Sequence, residues 1–160
     1  MESPRAVVRM KGGFRLVSAG GLSEQLREEA LKKLYSIYAR HTKPFFSFEG
    51  FKKMTEDKNN SLYCMVKNGR LVGALCFSHW GDKNLMLNEL WAAPSKEFIK
   101  ANGATIGKAL YSFTEKLAAK ENRFFCVTPF VGAGKRFEKR IEGKLPSQPR
   151  PRPKRRQTRP

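Results

Sequence analysis

The run Leu85–Leu110, LMLNELWAAPSKEFIKANGATIGKAL, has the residue types and spacing of an anion-binding site. An apolar strand feeds a polar loop that carries Gly103 and Gly107, and the loop opens an amphipathic helix. The unpaired amides of a helix's first turn point outward and carry the positive end of the helix dipole, so they can hold a phosphate or carboxylate. Glycine lets backbone approach such a ligand closely, and Lys96, Lys100 and Lys108 stand nearby to neutralise it. The same run also reads as an ordinary strand–loop–helix connection. Other residue types offer less chemistry. Cys64, Cys76 and Cys126 all lie in apolar, strand-like stretches. Three cysteines without short spacing argue against a disulfide framework and a zinc site, and predict buried free thiols. His41 and His79 are far apart and poor in neighbouring ligands, so no metal is expected; His79, beside Trp80, reads as a surface group.

The elements that must position this run follow from periodicity. A chain of 160 residues suits one domain, and twelve Phe supply bulky core material for it. Residues 1–12 are short on core residues and read as a loose N-terminal segment, 13–143 as the domain, and 144–160 as a tail. Phe14–Val17 reads as a first strand. Ser23 caps a helix whose Leu26, Ala30, Leu31, Leu34, Ile37 and Tyr38 share one face. A shorter helix is predicted from Ser47, with Phe48, Phe51 and Met54 inward. Leu62–Val66 and Leu71–Ser78 flank Asn68-Gly69, the turn pair of a hairpin, because both turn positions need positive φ. His79–Asn84 reads as a second turn leading into the Leu85–Ala92 strand. The next helix carries the stripe Ile106, Ala109, Leu110, Phe113, Leu117 and Ala118. Phe124–Thr128 is a further strand, paired in parallel through that crossover. A last, basic helical piece is predicted near Gly134–Ile141.

This order resembles the GNAT acetyltransferase family over roughly Phe14–Ile141. LYCMVKNGRLVGAL is similar to the family's central hairpin, LNELWAAP to its acyl-CoA strand, and IGKALYSFTEKLAAKE to the helix that carries the pyrophosphate. VTPFVGAGKRFEK looks like the start of its last helix, and the nearest flavour is that of acetyltransferase-like proteins encoded by bacteriophages. The resemblance implies an α+β fold: a mixed, mostly antiparallel twisted sheet flanked by helices, followed here by an extended basic tail. It implies acetyl-CoA as the acyl donor, with the pantetheine bonded to main chain of Leu90, Trp91 and Ala92. The pyrophosphate would meet the loop at Asn102, Gly103, Thr105 and Gly107, with Lys108 nearby. Glu89 would be the base that deprotonates an incoming ammonium. A protonated amine has no lone pair to attack a thioester, and a partly buried carboxylate can have its pKa raised towards neutrality. Glu89 also reads as a charge on the solvated face of its strand.

Three positions depart from the family's pattern. Asn102 stands where the family has Arg or Gln, and Thr105 replaces the first glycine of the loop, adding a side chain where phosphate would touch backbone. Phe137 stands where the family often has a proton-donating Tyr. After Ile141 the chain runs into EGKLPSQPRPRP, whose prolines cannot join a sheet ladder as the family's last strand does. Two functions are therefore expected as alternatives. One is acetyl transfer from acetyl-CoA to a primary amine. The other is an inactive GNAT-fold structural or virion-associated protein that contacts neighbouring subunits or nucleic acid.

Charge bears on partners. The formal charge is +18, and from Lys144 onward there are seven basic residues and no acidic ones, which leaves +11 on the rest. Lys144, Arg150, Arg152, Lys154, Arg155, Arg156 and Arg159 alternate with prolines in a stretch too polar to offset its ordering entropy. Such an arm displaces counterions from nucleic acid, or meets an acidic protein surface, without reading sequence. No apolar run reaches membrane-spanning length, so a cytoplasmic location is expected: the host cytoplasm, or a virion, for a phage-encoded chain.

Overall fold

In the computed structural model, residues 7–41, 47–57 and 60–127 are described. Six strands form one sheet in chain order: β1 (Val7–Arg9), β2 (Arg15–Ser18), β3 (Asn60–Lys67), β4 (Arg70–Trp80), β5 (Asn84–Ala92) and β6 (Phe124–Val127). Every neighbouring pair is antiparallel except β5 and β6, which run parallel, as a connection through a helix requires. The tight β3–β4 turn puts Asn68 at φ 50° and Gly69 at φ 73°, the left-handed pair that their types predicted.

Alternation along the strands sorts side chains into two cores. On one face Leu16, Leu75, Phe77 and Leu87 meet Leu110 and Tyr111 of α4 (Ile106–Lys120). On the other, Val17, Cys64, Ala74 and Cys76 meet Ala30, Leu31 and Leu34 of α1 (Glu24–His41) and Phe51 of α2 (Phe48–Glu56). Helix starts follow side-chain chemistry. Ser23 Oγ accepts from the Leu26 amide at 3.3 Å and Ser47 Oγ from the Gly50 amide at 3.2 Å, each satisfying a first-turn donor. Helix α4 ends where Asn122 turns to φ 55°.

Five sequence expectations change. The N-terminal segment is not wholly loose: Val7–Arg9 pairs with β2, a strand of three residues being too short to carry a period of its own. Its turn is closed by the Met10 amide donating to Phe14 O at 2.8 Å. The loop after β5 contains a helix, α3 (Lys96–Asn102), whose buried Phe98 stands edge-on to Phe14 at 4.9 Å between ring centroids. Its signals were Ser95, which accepts from the Phe98 amide at 3.1 Å, and Gly103, which ends it at φ 73°. The turn between β4 and β5 is shorter than expected, because His79, Trp80 and Asn84 pair within the sheet. His79 is not a plain surface group either: its Nε2 lies 3.0 Å from Glu121 Oε2, tying β4 to the end of α4. Cys64 and Cys76 are buried, but Cys126 is half-exposed. The helix expected near 134–141, Phe137 and the 144–160 tail fall outside the described residues.

Helix α4 packs closely on the sheet at Gly73. A methyl group placed there would stand 2.8 Å from Ile106 Cγ2 and 3.0 Å from Leu110 Cδ1. Both belong to buried side chains of α4, so relieving the overlap means shifting packed core groups. Gly73→Ala is therefore expected to destabilise the fold by about 1–3 kcal/mol, the usual cost of overpacking, in a denaturant titration. A neutral or stabilising result would mean that α4 lifts from the sheet without cost.

Candidate functional site

Strand β5 is irregular where the candidate residues begin. Cys76 pairs with Glu89 and Phe77 with Leu87, so Asn88 is an extra residue on β5. Such a bulge changes the parity of all that follows. Leu87 faces the α4 core, and without the bulge Glu89 would face it too. With it, Glu89 stands beside Cys76 on the α1 face, while Leu90 and Ala92 return to the α4 side. The Asn88 side chain donates to Ser78 Oγ, a strut across the irregularity.

Glu89 is 5% exposed, and its Oε1 has no hydrogen-bond partner among the described residues. Burial pushes its carboxyl up to about 8, because the ion is poorly solvated there and no cation among the described residues compensates. The solvated-face alternative for Glu89 is thereby corrected: the bulge turns the residue inward. Beside it, burial and then the Glu89 charge push the Cys76 thiol well up, and burial holds Cys64 at about 12. Both thiols stay protonated and are poor nucleophiles.

Past the bulge, the Ala93 amide donates to Val72 O at 2.9 Å. By strand alternation the main-chain groups of Trp91 also point towards β4, and those of Leu90 and Ala92 point to the opposite edge. On that edge β6 pairs with β5 only over Asn84–Leu87 within the described residues. Trp91 turns its ring to the α1 face, where Lys33 Nζ lies 5.1 Å from the ring centroid.

At the end of β5 a cavity of about 510 Å³ opens between the strand and the starts of α3 and α4. Ala92, Ser95, Lys96, Ile99, Thr105 and Gly107 are among the residues that line it. Gly107 faces the strand, and a methyl group there would meet Ala92 Cβ and Leu90 Cδ2 at an ordinary 3.7 Å. Its glycine is not demanded by protein packing. Thr105 is the N-cap of α4: its Oγ1 accepts from the Lys108 amide at 3.1 Å, so that donor is already satisfied. Asn102 is used elsewhere. Its Oδ1 accepts from the Lys11 amide at 3.1 Å and its Nδ2 donates to Lys11 O at 3.0 Å, clamping the β1–β2 turn. Gly103 serves to end α3.

The strand thus gathers Glu89, Leu90 and Ala92 along one stretch, with Thr105, Gly107 and Lys108 at its end. Asn102 and Gly103 serve α3 and its neighbours. The resemblance implies a bulge in this strand but does not place it at Asn88, which has no residue-type signal for it, and Ser95 and Ile99 were hidden in what read as loop. Among the described residues no group of His, Cys, Asp or Glu could hold a metal, and no helix is long and apolar enough to cross a membrane.

The architecture can be placed by comparison. No family model and no curated protein matches the sequence. Solved structures do. An acetyltransferase from Streptococcus agalactiae 2603 aligns over 83% of this chain and 82% of its own, at a TM-score of 0.55 and 14% identity. The ribosomal-protein-alanine N-acetyltransferase of Brucella melitensis biovar Abortus 2308 aligns over 86% and 93%, at 0.53 and 14%. A GNAT family acetyltransferase from Elizabethkingia anophelis, solved with acetyl-CoA bound, aligns over 82% and 75%, at 0.52 and 13%. The chain has the GNAT fold. At these identities the likeness is one of architecture, so the chemistry of this GNAT-fold chain must be argued from its own residues.

Glu89 makes a test independent of any ligand. Its folded pKa is raised above the ordinary 4.5, so the folded state binds the extra proton between those values. Stability should then fall as pH rises from about 4.5 to 8, and level off above. Glu89→Gln removes the titration. Its unfolding free energy is expected to match that of the native protein at pH 5 and to exceed it by about 2 kcal/mol or more at pH 8.5. Equal pH dependence of the two proteins would place the Glu89 carboxylate in contact with water or a cation.

Proposed function

We propose that this chain is an N-acyltransferase that moves the acetyl group of acetyl-CoA to a primary amine, with Glu89 as general base. One observation carries the reading: a carboxyl buried on a bulged strand and held near neutral pKa, whose Oε1 has no hydrogen-bond partner among the described residues. An unpartnered buried carboxylate costs stability, and a base poised between its usual pKa and that of an ammonium is a chemical reason to retain one.

The residues present fit the donor. The 510 Å³ cavity is walled by apolar groups and opens at the start of α4, with Lys96 on its lining. The Ile106 and Gly107 amides belong to the helix's first turn, which has no intrahelical acceptors for them. They and Lys108 would hold the pyrophosphate, and the outward main chain of Leu90 and Ala92 would hold the pantetheine. Acetyl-CoA supplies an acyl group already activated as a thioester. Glu89 would take one proton from the ammonium, which frees the nitrogen lone pair to form the C–N bond as the C–S bond breaks. The sulfur leaves as a thiolate, and the second proton that the nitrogen sheds in becoming an amide balances its release as the free thiol. With its pKa near 8, the carboxylate form of Glu89 grows through the neutral range, so turnover should rise with pH and level off above about 8.

Specific observations favour a second reading, a GNAT-fold structural or virion-associated protein without catalysis. Thr105 consumes the Lys108 amide that a phosphate would use, and Asn102 is bound to Lys11. Two measurements separate the readings. Saturating acetyl-CoA should raise the unfolding free energy, by roughly 2.7 kcal/mol at a hundred times its Kd. Glu89→Gln should keep that gain while lowering kcat by about 10²–10⁴-fold and abolishing the rise with pH. No stabilisation at millimolar acetyl-CoA would favour the structural reading.

A further inference from the structure

We infer that the end of the sheet where β1, β3 and β5 finish is a docking surface for a nucleic-acid backbone, built by the folded body and separate from the basic tail. The inference does not rest on acyl transfer. Charge is segregated between the two ends of the sheet. The β1–β2 connection, from 9 to 15, carries Arg9, Lys11 and Arg15, and the β3–β4 turn carries Lys67 and Arg70. From Ala93 to the first turn of α4 come Lys96, Lys100 and Lys108. Those segments hold eight cations and one carboxylate, Glu97, which is engaged by Lys67. At the opposite end, in the described parts of 18–24, 56–60, 80–84 and 120–124, five carboxylates face three cations.

The basic segments are physically joined. Asn102 of α3 clamps the main chain of Lys11, and Glu97 of α3 holds Lys67. A methyl group at Gly12 would stand 3.1 Å from Ala101 of α3, so the first turn lies against that helix. All the cations except Lys67 are exposed.

The most informative pair is Arg9 and Arg15. They are register partners across β1 and β2, and among the described residues neither meets a carboxylate. Like charges directly opposite on a sheet have Cβ atoms only about 4.5–5.5 Å apart and destabilise it. A bound polyanion would relieve that repulsion. Charge on an edge strand also discourages sheet extension, which would account for Arg9. It does not account for Lys11, Arg70 or Lys100, which lie off that edge.

The dimensions suit a duplex. From β1 to β4 there are three interstrand gaps, about 14 Å in all. Duplex DNA presents about eight charges over that length. Nothing in the segments suggests base readout, so binding should be indifferent to sequence.

The test measures the salt dependence of binding of the full chain to a mixed-sequence DNA duplex, between about 50 and 200 mM salt. The variant Arg9→Ala/Lys11→Ala/Arg15→Ala/Arg70→Ala should lower the slope of log Kobs against log salt by about 3–4. A control with the same charge change, Lys52→Ala/Lys53→Ala/Lys116→Ala/Lys120→Ala, should lower it by less than about 1. If the first variant folds poorly, Lys11→Ala/Lys100→Ala, both outside the strands, should lower it by about 2. Equal losses in variant and control would overturn the surface in favour of general charge. An unchanged slope, or loss of all binding on deleting Lys144–Pro160 alone, would assign the contact to the tail. Binding of polyglutamate in place of DNA would overturn the choice of partner.

Discussion

The close approach of α4 to the sheet at Gly73 is the constraint on which the rest depends. Only a residue without a side chain lets Ile106 and Leu110 descend onto β4. That depth fixes the start of α4 against Leu90 and Ala92, so the free amides of its first turn open at the end of β5 and not above it. The cavity is a consequence of this packing. Its walls are a strand end and two helix starts, each capped by its own hydroxyl, Ser95 and Thr105.

A second constraint is the extra residue in β5. A regular strand would turn Glu89 into the α4 core, where it would replace an apolar contact. The bulge at Asn88 instead delivers it to the α1 side, between strand and helix, without moving Leu85 and Leu87 out of their places. The cost is a carboxyl oxygen without a donor among the described residues. Burial there raises the pKa by desolvation alone, without a neighbouring acid. The same burial keeps Cys76 and Cys64 protonated, so of these three neighbours Glu89 is the one able to exchange a proton near neutral pH.

The helix that sequence reading took for loop has an organising role. With seven residues α3 is too short to show a period, yet it holds the N-terminal turn through Asn102, the β3–β4 turn through Glu97, and the core through Phe98. It thereby gathers cations from distant parts of the chain onto one end of the molecule. Their segregation from the carboxylates of the other end cannot be seen in a net charge.

Periodicity alone determined most of the frame. The faces of α1 and α4, the hairpin at Asn68-Gly69 and the parallel return of β6 follow from spacing and turn chemistry, because those signals are local. The resemblance drawn from their order agrees with the fold. Tertiary structure decided what local signals cannot carry. A bulge has no residue-type signature, so the direction of Glu89 was open between solvent and interior until register was known. Asn102 sits in a loop pattern that suggests a ligand, but a partner 91 residues away, Lys11, takes its side chain. Val7–Arg9 is a strand because β2 offers an edge, and Thr105 is a cap because α4 begins one residue later. Local chemistry fixes which elements form, and which atoms remain free for function is settled only when those elements meet.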